Sequence, residues 1–102
     1  MIQTIEVLIH NGIEQSLNAL IVYPKNICYI NNKKYNVSDY FMEEVIQAIC
    51  LWRPEYGNDT NIDSEEFLVT VKSTDGKETF HGKGFFPHNY ETLKELLGDI
   101  ND

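Results

Sequence analysis

Oxygen-bearing side chains recur at alternate positions in the segment from Asp59 to Glu65, which begins like a calcium-binding loop. A loop of the EF-hand type needs glycine at its sixth position and a bidentate carboxylate at its twelfth. Ser64 and Thr70 occupy those two positions here. Thr70 also falls in a predicted strand, where the second EF-hand helix should be. We therefore predict no metal site and interpret these carboxylates as part of a solvated loop.

The other residues capable of chemistry do not form a known catalytic motif. His10, His81 and His88 include no pair at the i, i+4 spacing of a helical zinc site, and no Cys-x-x-Cys occurs. There is no Gly-x-Ser-x-Gly nucleophile motif, and the Gly-Lys-Gly tripeptide does not continue as a phosphate-binding loop. We predict no catalytic residues and no cofactor.

Negative charge is concentrated in the middle of the chain. The 102 residues carry 16 acids against 8 lysines and arginines, a formal net charge of −8. Between residues 39 and 66, Arg53 is the only base beside eight acids. Crowded carboxylates repel one another, and a cationic partner relieves that repulsion and is attracted at long range. We predict a docking surface for a basic protein, with a merely solvated face as the alternative.

The predicted partner-binding residues are Glu43, Glu44, Glu55, Tyr56, Asp59, Asp63, Glu65 and Glu66. Tyr56 is included, with Tyr40 as a second choice, because aromatic anchors carry much of the energy of protein interfaces. Phe85 and Phe86 are adjacent in a loop, so one of them could also face a partner. For that pair we favour the alternative in which both close the end of the core.

The main element that must position these residues is a predicted helix over Ser38–Trp52. Ser38 is a good N-cap, because its hydroxyl can accept a hydrogen bond from a first-turn amide, and Pro54 ends the helix. Apolar residues recur at three- and four-residue spacing around about half of the circumference. The narrow polar strip that remains holds Glu43 and Glu44.

Alternating apolar residues and turn signals predict strands on both sides of this helix. They are Thr4–His10, Ala19–Tyr23, Asn26–Ile30 and Lys33–Val37 before it, and Phe67–Lys72 and Lys77–Gly82 after it. Asn31-Asn32 and Asp75-Gly76 are the predicted hairpin turns, and the second of these would pair Val71 with Phe80. The segment 55–64 is predicted to be a polar loop, and a second helix follows Asn89 and ends at Gly98.

The predicted element order is β-β-β-β-α-β-β-α, in a single domain over residues 1–102. Runs of hairpins with two helices favour an α+β fold, an antiparallel sheet of about five to six strands with both helices packed on one face. A chain of this size can form its own core without a disulfide or a metal.

The sequence favours a cytoplasmic location. Its start lacks the order of basic, apolar and small residues that marks a secretory signal, so Cys28 and Cys50 are predicted to be reduced, buried thiols. No apolar run approaches the ~18 residues of a membrane span. The acidic balance argues against direct binding of nucleic acid or of an anionic membrane, since both need a basic surface.

These observations favour a small, non-catalytic binding protein that inhibits a basic, nucleic-acid-acting partner by occupying its basic site. In size, acidity and lack of catalytic motif the chain is similar to immunity proteins that neutralise nuclease toxins, and to phage-encoded inhibitors of defence enzymes. This similarity is one of character and involves no shared motif. One alternative is a homodimeric module that pairs through Ile27, Tyr29 and Leu68. The other is a small enzyme with an unrecognised carboxylate or histidine site.

Overall fold

The computed structural model describes residues 1–11, 16–61 and 64–101, except for the side chain of Asn101. These residues form one mixed, seven-stranded sheet and two helices. The strands are β1 (Ile2–Asn11), β2 (Leu17–Val22), β3 (Ile27–Ile30), β4 (Lys33–Asn36), β5 (Glu55–Asn58), β6 (Glu65–Ser73) and β7 (Gly76–Lys83), and the helices are α1 (Asp39–Ile49) and α2 (Tyr90–Asn101). Neither helix is long and apolar enough to cross a membrane.

The α+β class is confirmed, but the predicted sheet is wrong in its number of strands and in being wholly antiparallel. The strand order is β4-β3-β2-β1-β6-β7-β5, and β5 pairs with β7 in parallel. Sequence patterning missed β5 because its four residues have no apolar alternation. Backbone hydrogen bonds attach it to the sheet edge, from His81 N to Pro54 O and from Asp59 N to Lys83 O, both 2.9 Å long.

One face of the sheet is buried beneath both helices, as predicted. The strand residues that form this buried face are Ile5, Val7, Ile9, Ala19, Ile21, Cys28, Ile30, Phe67, Val69 and Phe80. The helical residues that pack in the same core are Phe41, Met42, Val45, Ala48, Ile49, Tyr90, Leu93 and Leu97. They recur at three- and four-residue spacing, so each helix turns one side to the core and the opposite side to solvent.

The opposite side of the sheet, which we call the open face, is covered by neither helix. By register and burial it comprises Thr4, Glu6, Leu8, His10, Asn18, Leu20, Val22, Ile27, Tyr29, Lys34, Asn36, Glu66, Leu68, Thr70, Lys72, Lys77, Thr79, His81 and Lys83. Ile27, Tyr29 and Leu68 lie here, on the face away from the helices. Their side chains are half-buried among their strand neighbours.

Helix α1 begins as predicted and ends three residues earlier. The Ser38 hydroxyl accepts a 3.0 Å hydrogen bond from Phe41 N, which confirms the N-cap. The chain leaves the helix after Ile49, and Leu51 adopts a left-handed φ of 75° with 95% of its surface exposed. This reversal lets Trp52 pack edge-on against Phe67, with the ring centres 5.7 Å apart.

The two predicted hairpin turns have different outcomes. Asn31 and Asn32 have positive φ values of 49° and 72°, which confirms the predicted turn. In the second hairpin Ser73 pairs with Gly76, so Thr74-Asp75 forms the connection and Val69, rather than Val71, pairs with Phe80. Both valines lie on the same side of β6, so apolar alternation could not distinguish these two registers.

Two smaller expectations also need correction. Both cysteines are free, but only Cys28 is buried, where loss of hydration raises the pKa of its thiol to about 11. Cys50 is exposed because α1 ends before its apolar stripe reaches this residue. Gly98 does not end α2, which continues to Asn101 with Ile100 packed against the core.

Candidate functional site

The structure distributes the predicted partner-binding residues over both sides of the sheet and does not bring them together on one surface. Glu43 and Glu44 lie on α1, in the helical layer. Glu55 and Glu66 meet on the open face, where both contact His81. Glu65 faces α2 on the other side of the sheet, and Tyr56 packs against the core residue Phe67. Asp59 directly follows β5. Asp63 lies outside the described residues.

His81 links the two glutamates of the open face. Its Nδ1 atom lies 2.7 Å from Glu55 Oε1, and its Nε2 atom lies 2.6 Å from Glu66 Oε2. Both ring nitrogens can donate only in the imidazolium form, so the arrangement favours a charged ring. The bond to Glu66, followed by the bond to Glu55, raises the pKa of His81, while burial acts in the opposite direction. Both carboxylates thus have a partner within the chain.

Glu65 is also neutralised internally, at the junction between β6 and α2. Its side chain is only 17% exposed, and Lys94 Nζ contacts its two carboxylate oxygens at 3.1 and 3.2 Å. The buried hydroxyl of Tyr90 donates a 2.5 Å hydrogen bond to the same carboxylate. This glutamate therefore fastens α2 to the sheet and offers little charge to another protein.

Asp59 is held by its own loop. The Ser64 hydroxyl donates a 2.6 Å hydrogen bond to its carboxylate, and Asn61 N donates another at 3.1 Å. These two bonds lower the pKa of Asp59, with a further contribution from the charge of Lys83. The carboxylate thus links the end of β5 to Ser64, which directly precedes β6.

Tyr56 is engaged inside the molecule. Its hydroxyl accepts a 2.6 Å hydrogen bond from Arg53 N, and the guanidinium of Arg53 lies 5.1 Å from its ring centre. The same ring packs at 6.2 Å against Phe67 in the core. The second choice, Tyr40, is by contrast 71% exposed and donates its hydroxyl to Glu44.

The loop phenylalanines are more exposed than expected. Phe85 and Phe86 have 53% and 41% of their surfaces in solvent, so the interpretation in which both close the core is wrong. Phe86 stacks at 4.6 Å on Tyr90, while Phe85 lies against Gly57. The backbone at Gly57 leaves room for this ring, because an added Cβ would come within 2.8 Å of it.

Carboxylates on α2 add to the acidic residues that α1 places in the helical layer. Glu91, Glu95 and Asp99 follow one another at four-residue spacing and are exposed, on the side of the helix away from Leu93 and Leu97. Glu43 and Asp39 are likewise exposed on the outer side of α1. We call this set, Asp39, Glu43, Glu44, Glu91, Glu95 and Asp99, the helical acidic face.

Within the described residues, no lysine, arginine or histidine forms an ion pair with the helical acidic face. The only basic residue on either helix is Lys94, and it pairs with Glu65. Asp39 accepts a hydrogen bond from Asn26 Nδ2, and Glu44 accepts one from Tyr40; both donors are neutral. The charge of this face is therefore left uncompensated by these residues.

The three α2 acids were not among the predicted residues because lysines stand between them and the acidic segment in the sequence. Lys72, Lys77 and Lys83 make the last third of the chain look nearly balanced. The fold places these lysines on the open face, opposite to the helices. The four-residue spacing of the α2 acids, considered on a helix, is the sequence signal that could have identified them.

The open face carries the grooves relevant to the enzyme alternative. One groove of about 400 Å³ has apolar walls that include Leu8 and Leu68, with His10, His81 and Glu66 at its polar side. His81 has both nitrogens engaged, so it cannot act as a base while these two contacts persist. In the described part of the chain, no three His, Cys, Asp or Glu side chains are grouped as metal ligands.

No known protein family and no curated protein matches this chain.

Proposed function

We propose that this chain is a small, non-catalytic binding protein of the cytoplasm that presents its helical acidic face to a basic surface of a partner protein. The proposal rests on one observation, the six carboxylates of two adjacent helices, five of them exposed, which have no ion-paired base among the described residues. Such a surface attracts a cationic protein at long range and selects against anionic ones.

The partner class follows from the chemistry of the face. Proteins that act on nucleic acid bear clusters of lysine and arginine for phosphate contacts, and an acidic face covers such a cluster in place of nucleic acid. Tyr40 stands exposed among the carboxylates of α1, where it can supply apolar contact. We therefore propose inhibition by occupation of the nucleic-acid site of the partner.

A pull-down tests this proposal, in which the immobilised chain captures proteins from a native lysate. A Glu91→Lys/Glu95→Lys variant should capture at least about tenfold less of the basic protein, because it reverses two of the three α2 charges of this face. An Asp75→Lys/Glu78→Lys variant is the matched control, since it changes net charge equally at exposed positions of the β6–β7 hairpin.

The captured protein should bind nucleic acid, and an excess of the wild-type chain should abolish that binding. Capture should also weaken as salt rises, because the Debye length falls from about 10 Å at 0.1 M to about 3 Å at 1 M. Equal loss of capture in both variants, or no loss in either, would contradict docking through the helical acidic face.

A further inference from the structure

The open face combines unpaired charge of both signs with half-buried apolar side chains. Glu6 lies on β1, and its carboxylate makes no hydrogen bond or ion pair with any described residue. Lys34 on the edge strand β4 likewise has no ion pair in the described chain. Both charges belong to one straight row across four strands, in the order Glu6, Leu20, Tyr29, Lys34.

The row carries a negative charge at one end and a positive charge at the other, so two copies of it that run in opposite directions match in charge. Adjacent strands lie about 4.8 Å apart, so Glu6 and Lys34 stand about 14 Å apart, too far to pair within one chain. A two-fold axis that runs along the strands between β2 and β3 would place Glu6 over Lys34 of a second copy. The same operation sets Leu20 against Tyr29 of that copy, and a two-fold contact repeats each pair.

The next row across the sheet fits the same axis. Val22 pairs with Ile27 in the register of β2 and β3, so these two apolar residues would also face each other between the copies. The centre of the contact would then be apolar, with one ion pair on each side of it. A groove of about 470 Å³ on the open face is lined by Glu6, Leu20 and Tyr29. This groove gives room for the Lys34 side chain of the second copy.

We infer that the open face binds a second copy of this chain, face to face, through Glu6–Lys34 ion pairs around a centre of Leu20, Val22, Ile27 and Tyr29. The helical acidic face could not serve this purpose, because two copies of it would repel each other. In the dimer both helical acidic faces point outward, so a dimer would carry two docking surfaces for basic partners.

Sedimentation equilibrium between about 1 and 500 μM protein tests this inference. Glu6→Lys alone would place two cations opposite each other, and Lys34→Glu alone would place two anions there. Each single reversal should raise the dimer dissociation constant at least about tenfold. The double variant Glu6→Lys/Lys34→Glu exchanges the two charges and should restore association to within about threefold of wild type.

Lys77→Glu serves as the control, because this residue lies on the open face near the β6–β7 turn, outside the proposed contact. It should leave the dissociation constant unchanged. A monomeric wild type at 500 μM, or a dimer that is equally stable in all variants, would overturn the inference. Circular dichroism of each variant shows whether the fold is retained, and the lysate capture by the helical acidic face is measured separately, so the two proposals can fail independently.

Discussion

The Nε2 atom of His81 lies 2.6 Å from Oε2 of Glu66, across the ladder between β6 and β7. With Glu55 on its other ring nitrogen, the imidazole links β7 to both of its neighbouring strands, β6 and β5. The edge strand β5 has only four residues, and this side-chain contact adds to the backbone hydrogen bonds that attach it. The contribution of this contact depends on the charge of the ring, which makes it sensitive to pH.

The folded state should lose the contribution of His81 as pH rises. The two carboxylates raise the pKa of His81 above its unfolded value, which is about 6.5. The stabilisation is therefore fully present below the unfolded pKa and disappears as pH passes the folded pKa. Urea melts of wild type and His81→Asn should differ most at pH 5.5 and converge toward pH 8.5. A constant difference across this range would show that the ring contributes without being charged.

The hydroxyl of Tyr90 should stabilise the fold, while the hydroxyl of Tyr40 should not. Tyr90→Phe removes a buried hydrogen bond to Glu65 and should cost about 0.5–1.5 kcal/mol of unfolding free energy. Tyr40→Phe removes an exposed hydrogen bond to Glu44 and should leave the urea midpoint unchanged. Equal effects of the two substitutions would mean that the hydrogen bond from Tyr90 to Glu65 does not help to hold α2 on the sheet.

Two glycines should respond to alanine with opposite signs. At Gly82 an added Cβ would come within 2.4 Å of Phe85 O and 2.7 Å of the Phe67 ring, so Gly82→Ala should destabilise the chain by about 1–3 kcal/mol. At Gly98 nothing lies within 4 Å of the added atom, and Gly98→Ala should stabilise α2 by about 0.5–1 kcal/mol. Thermal melts of both variants decide the matter, and a stabilised Gly82→Ala would refute the close approach of the Phe85 backbone.

Features that depend on neighbours in the sequence were predictable. The cap at Ser38 and the turn at Asn31-Asn32 each involve a few consecutive residues with definite backbone preferences. Gly98 is an instructive exception, because an isolated glycine within a helix costs too little to end it when Leu97 and Ile100 pack against the core. At this position the packing of the helix against the core outweighs the low helix propensity of glycine.

Features that depend on distant residues were not predictable. Strand β5 exists because β7 offers an unpaired edge, which nothing in Glu55–Asn58 itself reveals. Charge behaves in the same way, since Glu65 and Lys94 are 29 residues apart yet neutralise each other. Glu43 and Glu91 are far apart in the sequence, but they lie on neighbouring helices of one layer. A tally of charges along the chain cannot distinguish these cases.

Both borders of the sheet are formed by strands of only four residues, β4 and β5. Lys33 and Lys34 begin the first of them, and Pro54 directly precedes the second. Short borders marked by lysine or proline give a foreign strand little backbone on which to add. The native chain should therefore resist conversion into fibrils at high concentration, even though the interior of its sheet is rich in the β-branched residues that amyloid favours.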